Sequence, residues 1–301
     1  MVQKKELTWL LIITIICISV LLGSCKKEAA PAQQIEPETE YPQVASELPP
    51  TQDTTASVAP KQSTSYPYTW TDAEDIPPIV IIIDDFGYSG GKLLEDFAAL
   101  PSEIVFAILP DLVHTKTAAE MAKKTGHEVI IHIPMEARGS KITPGEKHLI
   151  PGMSAEKVAD MLDNFIEQMP MAIAGNNHMG SSATEDLDLM KNTISHLDSK
   201  GLFFIDSVTT NKSKAVPAAE DLGVFITRRD IFLDVPDNTN ATIAQKIQSL
   251  AKYKGRKEPI VIITHCHNRD KLVALDQFIT QVTALGVKII SLRQAFGKLT
   301  S

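Results

Sequence analysis

The sequence predicts an α/β fold: a parallel sheet wrapped by helices and closed as a barrel or a distorted one. Three observations carry this. From Ile76 onward, apolar runs alternate with amphipathic segments, the pattern of strand–helix repeats. Several runs are continuous in Val, Ile, Leu and Phe, which suits parallel strands buried on both faces. His and Asp residues collect where the runs end, and parallel α/β folds bind ligands at the carboxyl ends of their strands.

The strand segments, in chain order, are Ile79–Ile83, Ile104–Leu109, Glu128–Ile133, Met171–Ala174, Leu202–Ile205, Val224–Thr227, Ile260–Thr264 and Val287–Ser291. Three helices stand out between them. Ser154 reads as an N-cap, followed at helical spacing by Val158, Met161, Leu162, Phe165, Ile166 and Met169. A second helix starts near Thr184 and aligns Leu187, Met190, Ile194 and Leu197, with Gly201 as its stop. A third carries Leu272, Leu275, Phe278, Ile279, Val282 and Leu285, and Gly286 ends it.

Ahead of this region, residues 1–25 read as an export signal: Lys4 and Lys5, an apolar stretch from Trp9 to Leu22, then Gly23, Ser24 and Cys25. The apolar stretch is shorter than the roughly 20 residues of a comfortable membrane span. "LGSC" resembles the lipobox of bacterial lipoproteins, which makes Cys25 the expected lipidated residue and the mature chain an exported protein anchored to a bacterial membrane. A plain N-terminal anchor is the alternative; in both cases the remainder lies outside the cytoplasm, held at a membrane. Residues 26–75 turn to Pro, Glu, Gln, Ser and Thr, too little apolar area to offset ordering entropy. They read as a flexible tether whose ends lie on the order of 40 Å apart. Residues 76–301 form the folded domain. Of three cysteines only Cys266 lies in it, so the fold rests on its core and not on disulfides. The chain has 301 residues, 44% of them hydrophobic, and a formal charge of −8 without a long basic run. It can bury one sizeable core, or at most two, and nucleic acid is excluded as an expected partner.

Five run ends carry His or Asp: Asp84 and Asp85 after "PPIVIII", His132 in "EVIIHIPME", His178 in "AGNNHMGSS", Asp206 in "LFFIDS" and His265 in "IVIITHCHN". Each has a bland reading alone. A strand-end Asp can cap the next helix, His132 can be a hydrogen-bonded core histidine, and Asp206 can cap the loop "SVTTNKS". His114, His127, His148 and His196 read as surface or satisfied histidines. Five such ends converging in one fold point instead to a site. Asp oxygens and His nitrogens suit zinc or a similar divalent ion, and one Asp with two His leaves a position open. Neighbouring strand residues face opposite sides, so one of Asp84 and Asp85 is expected to hold the ion and the other to act as a base. The ion would offset their repulsion.

The segments "VIIIDDFG", "FAILP", "IIHIPME", "NNHMGS", "FIDSVTTNKS" and "ITHCHN" together resemble the divergent polysaccharide deacetylase family, a distant branch of the NodB-type carbohydrate esterases. The resemblance runs in order from Ile79 to the C-terminus. It implies a distorted parallel β/α barrel of the glycoside hydrolase/deacetylase type and metal-dependent removal of N- or O-acetyl groups from a glycan. By the same resemblance Asp84 is the base, Asp85 a metal ligand, His132 the first metal histidine and His265 the general acid. A divalent ion, expected to be zinc, would activate water and polarise the acetyl carbonyl, and no other cofactor is implied.

The wider superfamily has a second histidine four residues after the first. Here that position is Glu136. His178 is the candidate for the missing ligand and Glu136 its rival. The arginine–proline motif that supports the base is not recognisable; Arg229 in "ITRRD" is the candidate replacement, with Asp206 as further support. Two other classes remain. A thiol enzyme built on Cys266 would leave the Asp pair unexplained. A non-catalytic envelope module binding glycan or a partner protein would fit the change at Glu136, but not the retention of Asp84, Asp85 and His265.

Overall fold

The computed structural model describes residues 75–297; the leader, Cys25 and the tether up to residue 74 lie outside the described residues. Eight strands alternate with helices: β1 (Ile79–Phe86), α1 (Gly91–Phe97), β2 (Val105–Ile108), α2 (Thr115–Thr125), β3 (Val129–Met135), α3 (Ala155–Gln168), β4 (Ala174–Met179), α4 (Leu187–Ser199), β5 (Phe203–Asp206), α5 (Ala215–Leu222), β6 (Ile226–Arg228), β7 (Ile231–Phe232), α6 (Asn240–Ser249), β8 (Ile260–His265), α7 (Arg269–Ala284) and α8 (Leu292–Phe296). All pair in parallel, in the order β6-β5-β4-β3-β2-β1-β8-β7.

That order requires closure. β6 and β7 stand at opposite edges of the sheet, yet only Arg229 and Asp230 separate them. A flat sheet of eight strands at about 4.8 Å spacing would hold its edges roughly 34 Å apart, and a link of two residues spans about 10 Å. The sheet therefore curls until its edges meet. β6 and β7 act as one bent strand that pairs with β5 at its start and with β8 at its end. This is the distorted β/α barrel that the alternation predicts.

Two apolar layers follow from the period of two along each strand. Ile79, Ile81, Ile83, Phe106, Ile131, Ile260 and Ile262 face outward, against the helices. Val80, Ile82, Val105, Ala107, Ile130, Ala174, Val261 and Ile263 face inward and meet Leu292, Ala295 and Phe296 of α8. The N-terminus of α8 is held by Glu128, at the start of β3, whose carboxylate accepts from Leu292 N at 2.7 Å. α8 thus plugs the amino-end mouth of the barrel and leaves the carboxyl end for the site.

The elements depart from the sequence reading in four places. β4 is "AGNNHM", not Met171–Ala174, because its polar residues line the site and hide the strand from an apolar-run reading. Val287–Ser291 contributes one bridging pair, Ile79 with Ile289, before a Ser291–Gln294 capping box starts α8. β7 is two residues long and leaves no pattern. Near Thr184 the chain makes a single 3-10 turn (Ala183–Glu185), and Asp186 caps α4 by accepting from Asp188 N and Leu189 N. Ser154 caps α3 through Lys157 N, and α4 and α7 are followed by Gly201 and Gly286 at φ +74° and +80°. Among the described residues, no helix is long and apolar enough to cross a membrane.

Candidate active site

Period-two alternation assembles the site. The inward series Val80 and Ile82, Ile130, Ala174, and Val261 and Ile263 continue at their strand ends as Asp84, His132, Asn176 with His178, and His265. Register brings these into line, with Asp84 beside His265, His132 beside Asn176, and Pro134 beside His178. Asp85 has the opposite parity and would face outward in a regular strand. It does not, because β1 slips register against β2 between Ile83 and Phe86 and Asp85 takes a φ of +71°. Asp tolerates that conformation better than most residues, and the bulge re-aims its side chain. Both carboxylates therefore turn into the same buried space instead of to opposite sides.

Three atoms converge there. Oδ1 of Asp85 lies 3.0 Å from Nδ1 of His178 and 3.2 Å from Nε2 of His132, and the two nitrogens are 3.1 Å apart. Asp85 Oδ1 is buried and receives no hydrogen bond of good geometry among the described residues. Two facing ring nitrogens can share at most one proton. A divalent ion bonded at 2.0–2.2 Å separates its ligand atoms by about 2.8–3.6 Å, from octahedral to tetrahedral angles, so these three residues fit such an ion. Glu136 contributes no atom to the group.

Around this cluster stand the other polar residues. Asp84 Oδ1 accepts from Asn176 Nδ2 at 2.8 Å, and its Oδ2 lies 3.7 Å from His132 Nε2. Asn176 Oδ1 in turn accepts from His132 Nδ1 at 2.8 Å, which turns the Nε2 lone pair toward Asp85. His267 Nε2 meets the second oxygen of Asp85 at 2.5 Å. His265 Nδ1 donates to both oxygens of Asp234, at 3.0 and 3.1 Å, and its ring lies near-parallel to those of Phe232 and His267. Lys271 Nζ is 3.0 Å from Asp234 Oδ2.

These surroundings push the adjacent carboxylates apart. Burial raises Asp84 above the usual carboxylate range, and His132 and His265 only partly offset it. Burial would raise Asp85 too, but His178, His132 and His267 hold it well below that range. Such divergence is how neighbouring carboxylates take different tasks. Burial would lower the His265 imidazole, yet Asp234 lifts it to about 9. Burial lowers His178, whereas Asp84 and Asp85 outweigh burial at His132 and raise it.

The model of a family described as divergent polysaccharide deacetylase matches residues 81–296, which span all of these groups. The chain belongs to the divergent polysaccharide deacetylase family. Two curated relatives are an uncharacterised Escherichia coli K12 protein, YibQ, and an uncharacterised Haemophilus influenzae protein. YibQ is 35% identical over 63% of this chain and 58% of its own length. The H. influenzae protein is 38% identical over 62% of this chain and 66% of its own. The chain thus spans under two thirds of the curated relatives it matches. The crystal structure of the uncharacterised protein ATU2773 from Agrobacterium tumefaciens C58 superposes with a TM-score of 0.66, covering 75% of this chain and 92% of that one. At 18% identity that likeness speaks for the fold alone.

The structure brings Asp84, Asp85, His132, His178 and His265 of this family member to one end of the barrel. The supports differ from expectation. Arg229 stacks on Phe232 and donates to Ser207 O and Val208 O at 2.7 and 2.8 Å. It thereby clamps a loop in which Val208 takes φ +50°, and Asn176 is the residue that holds Asp84. Asp206 accepts from Val208 N at 2.8 Å and serves the same loop. Cys266 packs in the outward layer with its thiol pushed well up by burial, so the thiol-enzyme reading fails. His127 is satisfied by Ile104 O and Ala98 O, and His196 by Asp163. Sequence reasoning missed Asn176, Asp234, His267 and Lys271. For Asn176 and His267 a signal existed, since each lies two residues from a singled-out histidine and so shares its face.

Proposed function

We propose that the chain is a metal-dependent hydrolase that removes acetyl groups from an exported glycan. The observation that carries this is the buried Asp85–His132–His178 triangle, with a raised carboxyl at Asp84 beside it and an imidazolium at His265 next to Asp84 in register. A divalent ion such as zinc, held by Asp85, His132 and His178, would supply Lewis acidity toward water and the acetyl carbonyl.

The chain's own residues supply the proton transfers. Asp84 takes a proton from the water as the water oxygen bonds to the carbonyl carbon; Asn176 holds its Oδ1 and its raised pKa suits a base. His265, charged at neutral pH and held through Nδ1 by Asp234, has the Nε2 proton to give. It passes that proton to the departing nitrogen or oxygen as the bond to the acetyl carbon breaks. Acetate and a free amine or alcohol result, and Asp84 and His265 return to their starting states by exchange with water. The lipobox-like "LGSC" supports an envelope location, with Cys25 as the lipid site.

The test is acetate release by the full chain, loaded with zinc, from acetylated chitooligosaccharides and peptidoglycan fragments. Native protein should release acetate. Asp84→Asn should keep the metal, because Asp85 remains, and lose about 10²–10⁴ in rate, the usual contribution of a positioned base. A native rate in Asp84→Asn refutes the base assignment. Glu136, standing where the superfamily has a histidine, favours one alternative: binding of a glycan without acetate release would make the chain a non-catalytic envelope module.

A further inference from the structure

We propose that Lys271 is a positioning residue for the metal site, acting through the ring of His267 to hold Asp85 ready for the ion. The inference rests on the reading of Asp85, His132 and His178 as ligands.

The groups form one line. Lys271 Nζ lies 3.3 Å from His267 Nδ1 and 3.0 Å from Asp234 Oδ2. An ammonium has only protons to offer, so Nδ1 must present its lone pair. The proton of His267 then sits on Nε2 and is donated to Asp85 Oδ2 at 2.5 Å. With Oδ2 engaged, Oδ1 is the oxygen left to face His132 and His178, and it is the one without a hydrogen bond of good geometry among the described residues. The opposite tautomer would set two acceptors, a bare Nε2 and a carboxylate oxygen, against each other. Through Asp234, the same ammonium touches the residue that holds His265. One cation thereby ties the ligand half of the site to the acid half.

The location of Lys271 supports a role beyond solubility. Its side chain is only 19% exposed, and lysine is seldom buried unless paired. It also sits in the first turn of α7, after the Asn268 cap, where the helix dipole disfavours a positive charge. The ion pair with Asp234 accounts for the burial, but the charge at this helix end runs against local preference, and functional sites are where such breaches concentrate. A role limited to neutralising Asp234 would explain the burial but not the approach to His267.

Two measurements test this. The first is the nitrogen-15 NMR signature of His267 in native full-length protein without metal, which needs neither a variant nor activity. A proton on Nε2 and a bare Nδ1 facing Lys271 are expected; a proton on Nδ1 overturns the proposal. The second is zinc affinity, by competition with a chelating dye, across a double-mutant cycle. Lys271→Met should weaken zinc by roughly 10-fold, the lower range for a residue that orients a ligand. In a His267→Gln background, the amide can donate to Asp85 whatever Lys271 does, so Lys271→Met should there change affinity less than about 2-fold. Equal losses in both backgrounds would make Lys271 merely structural, and no loss in either would remove it from the metal site. Absence of any zinc binding by native protein would refute the ligand reading, and this proposal with it, whereas the other failures would leave that reading intact.

Discussion

Replacing Asp234 with asparagine isolates what the Asp234–His265 pair contributes. Asp234 lifts His265 from an ordinary 6.5 to about 9, a gap that corresponds to about 3 kcal/mol in favour of the charged ring. Asparagine can still accept from Nδ1 but removes the charge, and Lys271, left beside an amide, pushes the ring further down. His265 should then titrate at or below its ordinary 6.5 in Asp234→Asn, because burial and Lys271 both lower it. At pH 8 about nine-tenths of native His265 carries its acid proton, against about 3% at most in the variant, a loss of roughly 30-fold or more in acid catalysis from protonation alone. The primary assay is the NMR-detected titration of His265 in both proteins, with acetate release across pH 6–10 as the functional counterpart. The alkaline limb should move down by about two and a half units or more. The pair also governs stability. Because the folded pKa is raised, its contribution is complete below about 6.5 and is lost as pH rises from there through about 9. Urea unfolding of native protein should therefore weaken by up to about 3 kcal/mol over that window, and Asp234→Asn should lose most of this dependence. If His265 titrates within half a unit of native in the variant, Asp234 is not what raises it, and the reasoning fails.

Other outcomes follow from the same geometry. Asn176→Ala removes the donor to Asp84 and the acceptor of His132 together, so zinc affinity should drop about 10–100-fold, measured by dye competition; native affinity would show that the ring of His132 is oriented by something else. Phe296→Ala opens the plug at the amino end of the barrel, where Phe296 meets Phe203 and Phe225, and should cost about 3–5 kcal/mol in urea unfolding while leaving zinc affinity unchanged. Cys25→Ala should abolish lipid attachment; a variant processed and fractionated like the native chain would refute the lipoprotein reading.

Much of this molecule was legible in sequence because two periodic signals agree. Continuous apolar runs marked the strands, and His or Asp at their ends marked the mouth of the barrel. What escaped has a physical cause in each case. β4 was displaced because its "AGNNHM" is polar where it lines the site. β7 is two residues of a bent strand recognisable only from its partners. Asp234 follows β7 and reaches His265 at the end of the neighbouring β8, a contact made by strand pairing between segments far apart in sequence. Lys271 went unnoticed because nothing local says that its ammonium turns inward.

The adjacent carboxylates show how a rule of local structure can fail and still point to the right place. Alternation along a strand assigns Asp84 and Asp85 to opposite faces, and a regular β1 would have put Asp85 among the outward isoleucines. There its charge would lack partners, and burying it would cost several kcal/mol. The bulge between Ile83 and Phe86, with φ +71° at Asp85, avoids that cost by aiming the carboxylate at His132, His178 and His267. A left-handed conformation at a non-glycine residue costs about 1–2 kcal/mol, less than the burial it prevents. The strain is thus tied to the histidines: without them nothing offsets it, and with them the two neighbouring acids occupy one cavity with pKa values driven in opposite directions.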